Sequence, residues 1–307
     1  MRRHNGSHRP PAYYEWWYFH FLSADGTAIN MVLHETDIFG LQADPYISLT
    51  VLLPGQAPRY VRRPLPMNAF QRAQPLLQVG DGLFRETDAS IQFNVPFGDG
   101  VRFAGRIAIA GPPLIIEDGL LYVDEVTGRS SHWVVPVPHG RFVALLALEG
   151  RQHRLEGVAY HDHQWGSLPI QEFVSDWIWG HFAVEGQALL FFQILTQHGG
   201  LIERVGVIGP SGVFVGNQLA ATYLGRIANK RDPSAYSWPA CLALAQCGRL
   251  EALTIEILEP MRVRDSEQIE GQLGSYFRWR AQASLLRRNP IAPLPGVTEY
   301  LRIRRAL

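Results

Sequence analysis

The sequence predicts an all-β protein of two antiparallel β-barrel domains packed together, and three observations carry that prediction. Apolar and polar residues alternate in many short runs, Gly- and Pro-containing turn signals separate the runs, and no apolar period of 3.6 residues persists over three turns. A length of 307 residues suits two domains, each with its own core, and closing each sheet into a barrel removes the exposed edges that short strands otherwise leave. The boundary falls near Pro169 and the polar pair Gln171-Glu172, giving domains 1–170 and 171–307.

Taken in order, residues 1 to 12 form a loose lead-in with Gly6, Pro10 and Pro11. Trp17, Phe19 and Phe21 then alternate up to an Asp25-Gly26 turn, and Ile29, Met31 and Leu33 alternate after it, the pattern of a β-hairpin. Ile47, Leu49 and Val51 continue in the same way. Residues 56–80 are rich in Pro and Arg with little periodicity and read as a long connection holding one short strand at most. Strands resume at 83–85, 90–94 and 101–109, then at 132–137, 141–148 and 154–160. In the second half, 181–184, 188–196, 201–208, 212–215, 250–259 and 276–284 are strand candidates, and 217–228 is the nearest approach to a helix.

Composition excludes several classes. The formal net charge is zero, which suits neither a nucleic-acid groove nor an anionic membrane surface. The basic start Met1-Arg2-Arg3-His4 lacks the apolar stretch of a secretion signal, and no run of about 18 apolar residues is present to span a bilayer, so a cytoplasmic location is expected. Cys241 and Cys247 make no disulfide framework and read as small buried apolar residues. Arg278, Arg280, Arg287, Arg288, Arg302, Arg304 and Arg305 read as mostly solvated. No phosphate loop, dinucleotide fingerprint or nucleophile elbow is present, and no cofactor is called for.

Chemistry concentrates in Tyr160-His161-Asp162-His163-Gln164-Trp165-Gly166, in Asp176-Trp177-Ile178-Trp179-Gly180 and in Tyr13-Tyr14-Glu15-Trp16-Trp17-Tyr18-Phe19-His20. On a strand, successive side chains point to opposite faces, so His161, His163 and Trp165 share one face and Asp162 and Gln164 the other; Trp177 and Trp179 also share a face. The N-terminal cluster is expected beside the His-rich one. The pair of histidines admits three readings. They chelate a metal, though the spacing of His34-Glu35 and His181 selects no further ligands; or they belong to a buried polar network between strands; or His163 and Trp165 face a ligand while Asp162 orients its neighbours. Glu15 among aromatics is either a carboxyl kept protonated by burial, and so a general acid or hydrogen-bond donor, or a latch tied to an Arg or a backbone amide. Gln193, between Phe192 and Ile194, needs a polar partner, for which a substrate carbonyl is one candidate.

Glu15-Trp16-Trp17-Tyr18, the strand of Trp133, and the run from Gly157 through His161-Asp162-His163-Gln164-Trp165-Gly166 resemble the two-domain lipocalin-like family of carotenoid 1,2-hydratases, AttH-like proteins and natural-product cyclases, among them decalin-forming Diels–Alderases. The resemblance implies two lipocalin-like barrels and, from the hydratases, roles for His163 and Trp165. It also implies an acid in a Tyr-x-Asp pattern, where this chain has Phe191-Phe192-Gln193, an amide that cannot protonate an alkene. The leading expectation is a cofactor-independent cyclase that folds a hydrophobic polyene in a barrel pocket, as for a [4+2] cycloaddition. Glu15, His163, Gln193 and Asp162 are its candidate catalytic groups, and Trp17, Tyr18, Trp165, Trp177, Trp179, Phe191 and His161 its candidate substrate contacts. The alternatives are a hydratase or isomerase of a terpenoid or carotenoid double bond, protonated by Glu15 or Asp162, and a non-catalytic carrier of an apolar ligand.

Overall fold

A computed structural model describes residues 13–36, 45–184, 186–209, 212–216, 244–246, 249–269, 272–286 and 293–303. The helix expected at 217–228 and both cysteines lie outside the described residues, as do Arg287, Arg288, Arg304 and Arg305. The chain divides into two compact units, Met1–Phe173 and Val174–Leu307.

The first unit holds β1 (Tyr14–Ser23), β2 (Ala28–Thr36), β3 (Tyr46–Leu52), β4 (Arg59–Pro64), β5 (Phe70–Ala73), β6 (Leu76–Val79), β7 (Gly82–Thr87), β8 (Ser90–Gly98), β9 (Val101–Ile109), β10 (Leu120–Val123), β11 (Ser130–Leu148) and β12 (Arg151–Gly166). They form one antiparallel sheet in the order β4-β3-β2-β1-β12-β11-β9-β8-β7-β6-β5, with β10 branching from β11. A short helix, α1 (Ile170–Phe173), ends the unit. The second unit pairs β13 (Val174–Val184), β14 (Gln187–Thr196), β15 (Leu201–Gly209), β16 (Gly212–Gly216), β17 (Leu244–Gln246), β18 (Arg249–Ile269), β19 (Gln272–Leu286) and β20 (Leu294–Ile303) in the order β16-β15-β14-β13-β20-β19-β18-β17.

The all-β prediction holds, with local differences. The segment read as a connection at 56–80 carries three strands, β4, β5 and β6. Residues 130–148 are one strand, whose register slips between Val134 and Gly140 and so looked like two. The strand of residues 294–303 was not among the expected strands.

Alternation explains how the first sheet curls. Trp17, Phe19 and Phe21 on β1, Ile29, Met31 and Leu33 on β2, and Ile47, Leu49 and Val51 on β3 all point inward to one core with Phe84, Phe93 and Phe103. Each such side chain contributes roughly 1.5–3 kcal/mol on burial. The hydrogen-bonded path nevertheless ends at β4 and β5 and does not close by pairing. Arginines on these two edges span the gap. Arg63 on β4 donates to the Asp81 carboxylate and, at 2.8 Å, to the carbonyl of Pro96 on β8, while Arg72 on β5 reaches Glu15 on β1 and Glu35 on β2.

In the second unit, Ile178, Phe182, Phe191, Trp279 and Tyr300 fill a core on one face of the sheet. Gly180 is required there, since a Cβ would stand 2.6 Å from the Phe191 ring.

Candidate active site in the first unit

β1 and β12 pair with Glu15 opposite Trp165, Trp17 opposite His163, and Phe19 opposite His161. This register puts Glu15, Trp17, His161, His163 and Trp165 on the inward face of the first sheet, as alternation predicts. The ring of Trp17 stacks on Phe70 at 5.5 Å and on His163 at 4.9 Å; His163 lies 4.7 Å from Trp165, and Trp165 stacks on His132 at 5.2 Å. Five rings therefore form a row: Phe70, Trp17, His163, Trp165, His132. Trp17 and His163 are each 1% exposed, whereas Phe70, Trp165 and His132 are half-buried, so the row reaches the surface at its two ends.

Glu15 anchors this row. Its Oε1 accepts from His163 Nε2 at 2.9 Å, and its Oε2 accepts from Tyr13 Oη and from Arg72, both at 2.8 Å. Arg72 also bonds Glu35 and lies 5.0 Å over the Trp17 ring. Burial alone would push the Glu15 carboxyl up, but the His163 hydrogen bond, the Arg72 charge and the Tyr13 hydroxyl together hold it below the usual carboxylate range. Arg72 and Tyr13 act whether or not His163 is charged. Of the two readings of Glu15, the latch tied to an Arg is the one this geometry matches, and the carboxyl kept protonated by burial is not.

An ionised carboxylate only accepts, so His163 carries its proton on Nε2. Burial pushes the His163 pKa down, opposed by Glu15, which leaves a neutral ring with a lone pair on Nδ1. That atom is buried and has no hydrogen-bond partner. His161 follows the same logic: its Nδ1–H donates to the carbonyl of Tyr18 at 3.0 Å, burial holds it neutral, and its Nε2 is a buried acceptor without a partner.

The other candidates lie elsewhere. Tyr18 and Asp162 point to the opposite, also buried, face of the sheet, where the Tyr160 hydroxyl donates to Asp162 at 2.9 Å and Asn30 bonds Tyr18. In the second unit, register pairs Trp177 with Ile194 and Trp179 with Phe192, so both tryptophans are on the face opposite Phe191 and Gln193. Phe191 is core. Gln193 donates to Glu203 at 2.6 Å, so its amide has a protein partner and needs no substrate carbonyl. Arg278, expected to be solvated, is buried and donates to Glu299 at 2.5 Å. Among the described residues no group of three or more His, Cys, Asp or Glu side chains is placed to hold a metal ion, and no helix is long and apolar enough to cross a membrane.

Sequence reasoning missed Arg72, Phe70, Tyr13 and the role of Glu35. Glu35 and Tyr13 could have been found, since each continues an inward alternation, after Ile29, Met31 and Leu33 on β2 and before Glu15 and Trp17 on β1. Arg72 and Phe70 sit where no periodicity marks a strand.

No protein-family model matches the chain. Over 46 residues, 15% of this chain and 13% of the relative, it is 35% identical to the quinolone epoxide rearrangement protein asqO of Emericella nidulans. Among solved structures it is similar to CghA with bound Sch210972 (TM-score 0.71, 10% identity, 97% of this chain and 90% of that one). It is also similar to an AttH-like protein of Nitrosomonas europaea (0.69, 15% identity, 94% and 92%) and to kievitone hydratase of Nectria haematococca (0.61, 12% identity, 95% and 89%). The chain therefore has the all-β, lipocalin-like fold of the AttH-like and hydratase structures, the fold that its Glu-Trp-Trp-Tyr and His-Asp-His-Gln-Trp-Gly segments resemble.

Proposed function

We propose that the chain is an enzyme of small-molecule metabolism that promotes cyclisation or rearrangement of a hydrophobic substrate, without cofactor, by proton transfer at His163. One observation carries this reading: a buried imidazole between two indoles has one nitrogen fixed by an ionised carboxylate and the other left with an unpartnered lone pair. Such a ring is a base. His163 Nδ1 takes a proton from a hydroxyl, N–H or activated C–H of the substrate, and the electron pair released attacks within the same molecule. The imidazolium is stabilised by Glu15 and by the faces of Trp17 and Trp165. It returns the proton to the atom that has gained charge, so the product is an isomer of the substrate. Glu15, Arg72 and Tyr13 act through His163 as positioning residues.

The names of asqO and kievitone hydratase support an enzyme acting on a small natural product. The state of Glu15 favours cyclisation over hydration. Adding water to an alkene requires a proton delivered to carbon, and Glu15 is ionised and paired while Asp162 faces away from His163. A pericyclic [4+2] closure remains compatible with the site, the N–H groups of Trp17 and Trp165 then donating to an activating carbonyl.

The test incubates purified protein with linear precursors made by the enzymes of its own gene neighbourhood. General base catalysis contributes typically 10²–10⁴-fold, so His163→Gln is expected to lower kcat/KM by about that factor. Full activity in His163→Gln, or recovery of every ligand unchanged as from a carrier, would sink the proposal. Solvent ¹⁸O in the product would move it to the hydratase reading.

A further inference from the structure

The formal net charge of the chain is zero, yet the charges of the first unit are unevenly spread. Across β7, β8, β9, β11 and β12, register lines up two rows of side chains. Arg85, Gln92, Arg106, Val143 and Glu156 form one row, and Leu83, Asn94, Ala104, Leu145 and Arg154 the next. Arg102 stands in the row beyond Ala104, and Arg141 in the row before Val143. Phe84, Phe93, Phe103 and Phe142, which alternate with these residues along the strands, point into the core, so the rows lie on the outer, convex face of the sheet. With strands about 4.8 Å apart and same-face residues about 6.7 Å apart, this face measures roughly 20 Å each way.

Arg85, Arg102, Arg106, Arg141 and Arg154 are all exposed on it. Arg85, Arg106 and Arg154 make no ion pair among the described residues, and Arg102 donates to the neutral side chain of Asn94 at 2.7 Å. Nearby acids offset them little: Glu156 ends one row, Asp88 and Asp99 lie in the turns at the strand ends, and Glu149 is taken by Arg59. Between the arginines, Val143 and Leu145 are each 50% exposed and Leu83 is 45% exposed, where a half-solvated sheet ordinarily presents polar groups to water.

Charge, composition and curvature select what such a face meets. A second copy of the chain would set arginine against arginine. A nucleic acid would use the charges through its phosphates and leave the three aliphatic side chains without a role. A protein partner needs pockets for its anchoring side chains, and a convex sheet offers none.

We infer that this face docks on an anionic lipid bilayer as a peripheral contact, with the arginines among the headgroup phosphates and Val143, Leu145 and Leu83 pressed against the acyl boundary. A bilayer asks only for area, sign of charge and a few apolar side chains, and the face has all three. None of these residues belongs to the ring row, so the inference stands apart from the reaction at His163.

The experiment sediments the full chain with vesicles of phosphatidylcholine alone and with vesicles containing about one third phosphatidylglycerol, at low salt and at about 1 M salt, where the Debye length is about 3 Å. The anionic vesicles are expected to bind at least about tenfold more tightly than the neutral ones, since each basic side chain at such a surface contributes about fivefold, and high salt should release the protein. Arg106→Gln/Arg154→Gln breaks no ion pair and should lower the partition coefficient by about twentyfold at unchanged melting temperature. Arg62→Gln/Arg129→Gln removes the same charge from outside the face and should alter it by less than about threefold. Val143→Ser/Leu145→Ser should weaken binding at every salt concentration without changing its dependence on salt. Equal recovery with both kinds of vesicle, no recovery with either, or an unchanged partition coefficient in Arg106→Gln/Arg154→Gln overturns the inference. Retention on polyglutamate without vesicle binding would give the face to an acidic protein and overturn it equally.

Discussion

Arg72 decides the state of the site at the scale of single residues. Glu15 and Glu35 are buried carboxylates whose side chains are 6% and 7% exposed, and Arg72, 21% exposed, bonds both. Breaking a buried ion pair by removing one partner is expensive, because the remaining charge loses its compensation without regaining water. Arg72→Met is expected to cost about 3 kcal/mol, seen as a lower urea midpoint at unchanged slope. It should also raise the Glu15 pKa and so weaken the anchor on His163, lowering kcat more than it alters KM. Glu15→Gln should cost less stability, since Arg72 keeps Glu35 as partner. A loss below roughly 0.5 kcal/mol in Arg72→Met would place the pair among solvent-screened ones and remove the reason for an ionised Glu15.

At the scale of elements, the site exists because β1 and β12 run side by side over their length, from Tyr14 opposite Gly166 to Ser23 opposite Gly157. At the far end the strands leave no room for a side chain: a Cβ on Gly157 would stand 2.1 Å from the carbonyl oxygen of Leu22 and 2.9 Å from Ser23 Cα. Gly157→Ala is expected to destabilise by about 2 kcal/mol or more through overpacking against backbone, and Gly111→Ala, with nothing within 4 Å, by far less. Comparable melting temperatures for the two variants would refute that contact. The pairing of β1 with β12 was legible because Glu15, Trp17 and Phe19 alternate as cleanly as His161, His163 and Trp165, and alternation fixes the face of every one of them. Arg72 was not legible. Its strand is four residues long, half-buried and flanked by prolines, and edge strands of that kind carry charge without a periodic apolar signal. Gln193 is a different case: a polar residue within an apolar strand shows that a partner is needed, and only register shows that Glu203 stands opposite.

Across the molecule, the described residues include a core cluster in each unit, around Phe19, Phe84 and Phe103 in the first and around Phe182, Phe191 and Trp279 in the second. The charges that the first core tolerates give it a pH dependence of definite sign. His161 and His163 are held below their ordinary pKa by burial and stay neutral when folded, whereas in the unfolded chain they take up a proton near pH 6.5. The unfolded state therefore binds more protons as the pH falls, and the stability present above pH 6.5 is lost on acidification, at about 1.4 kcal/mol per pH unit for each histidine until its folded pKa is reached. Glu15, also held down, adds a second loss below its unfolded value of 4.5. Urea midpoints measured from pH 8 to pH 5 are expected to be flat above about 7 and to fall below it. His161→Leu, which removes one buried imidazole and leaves Glu15 and His163 in place, should make the fall shallower. A midpoint that rises between pH 7 and pH 5.5 would mean that the imidazoles are charged in the folded protein, and His163 would then hold no lone pair with which to act as a base.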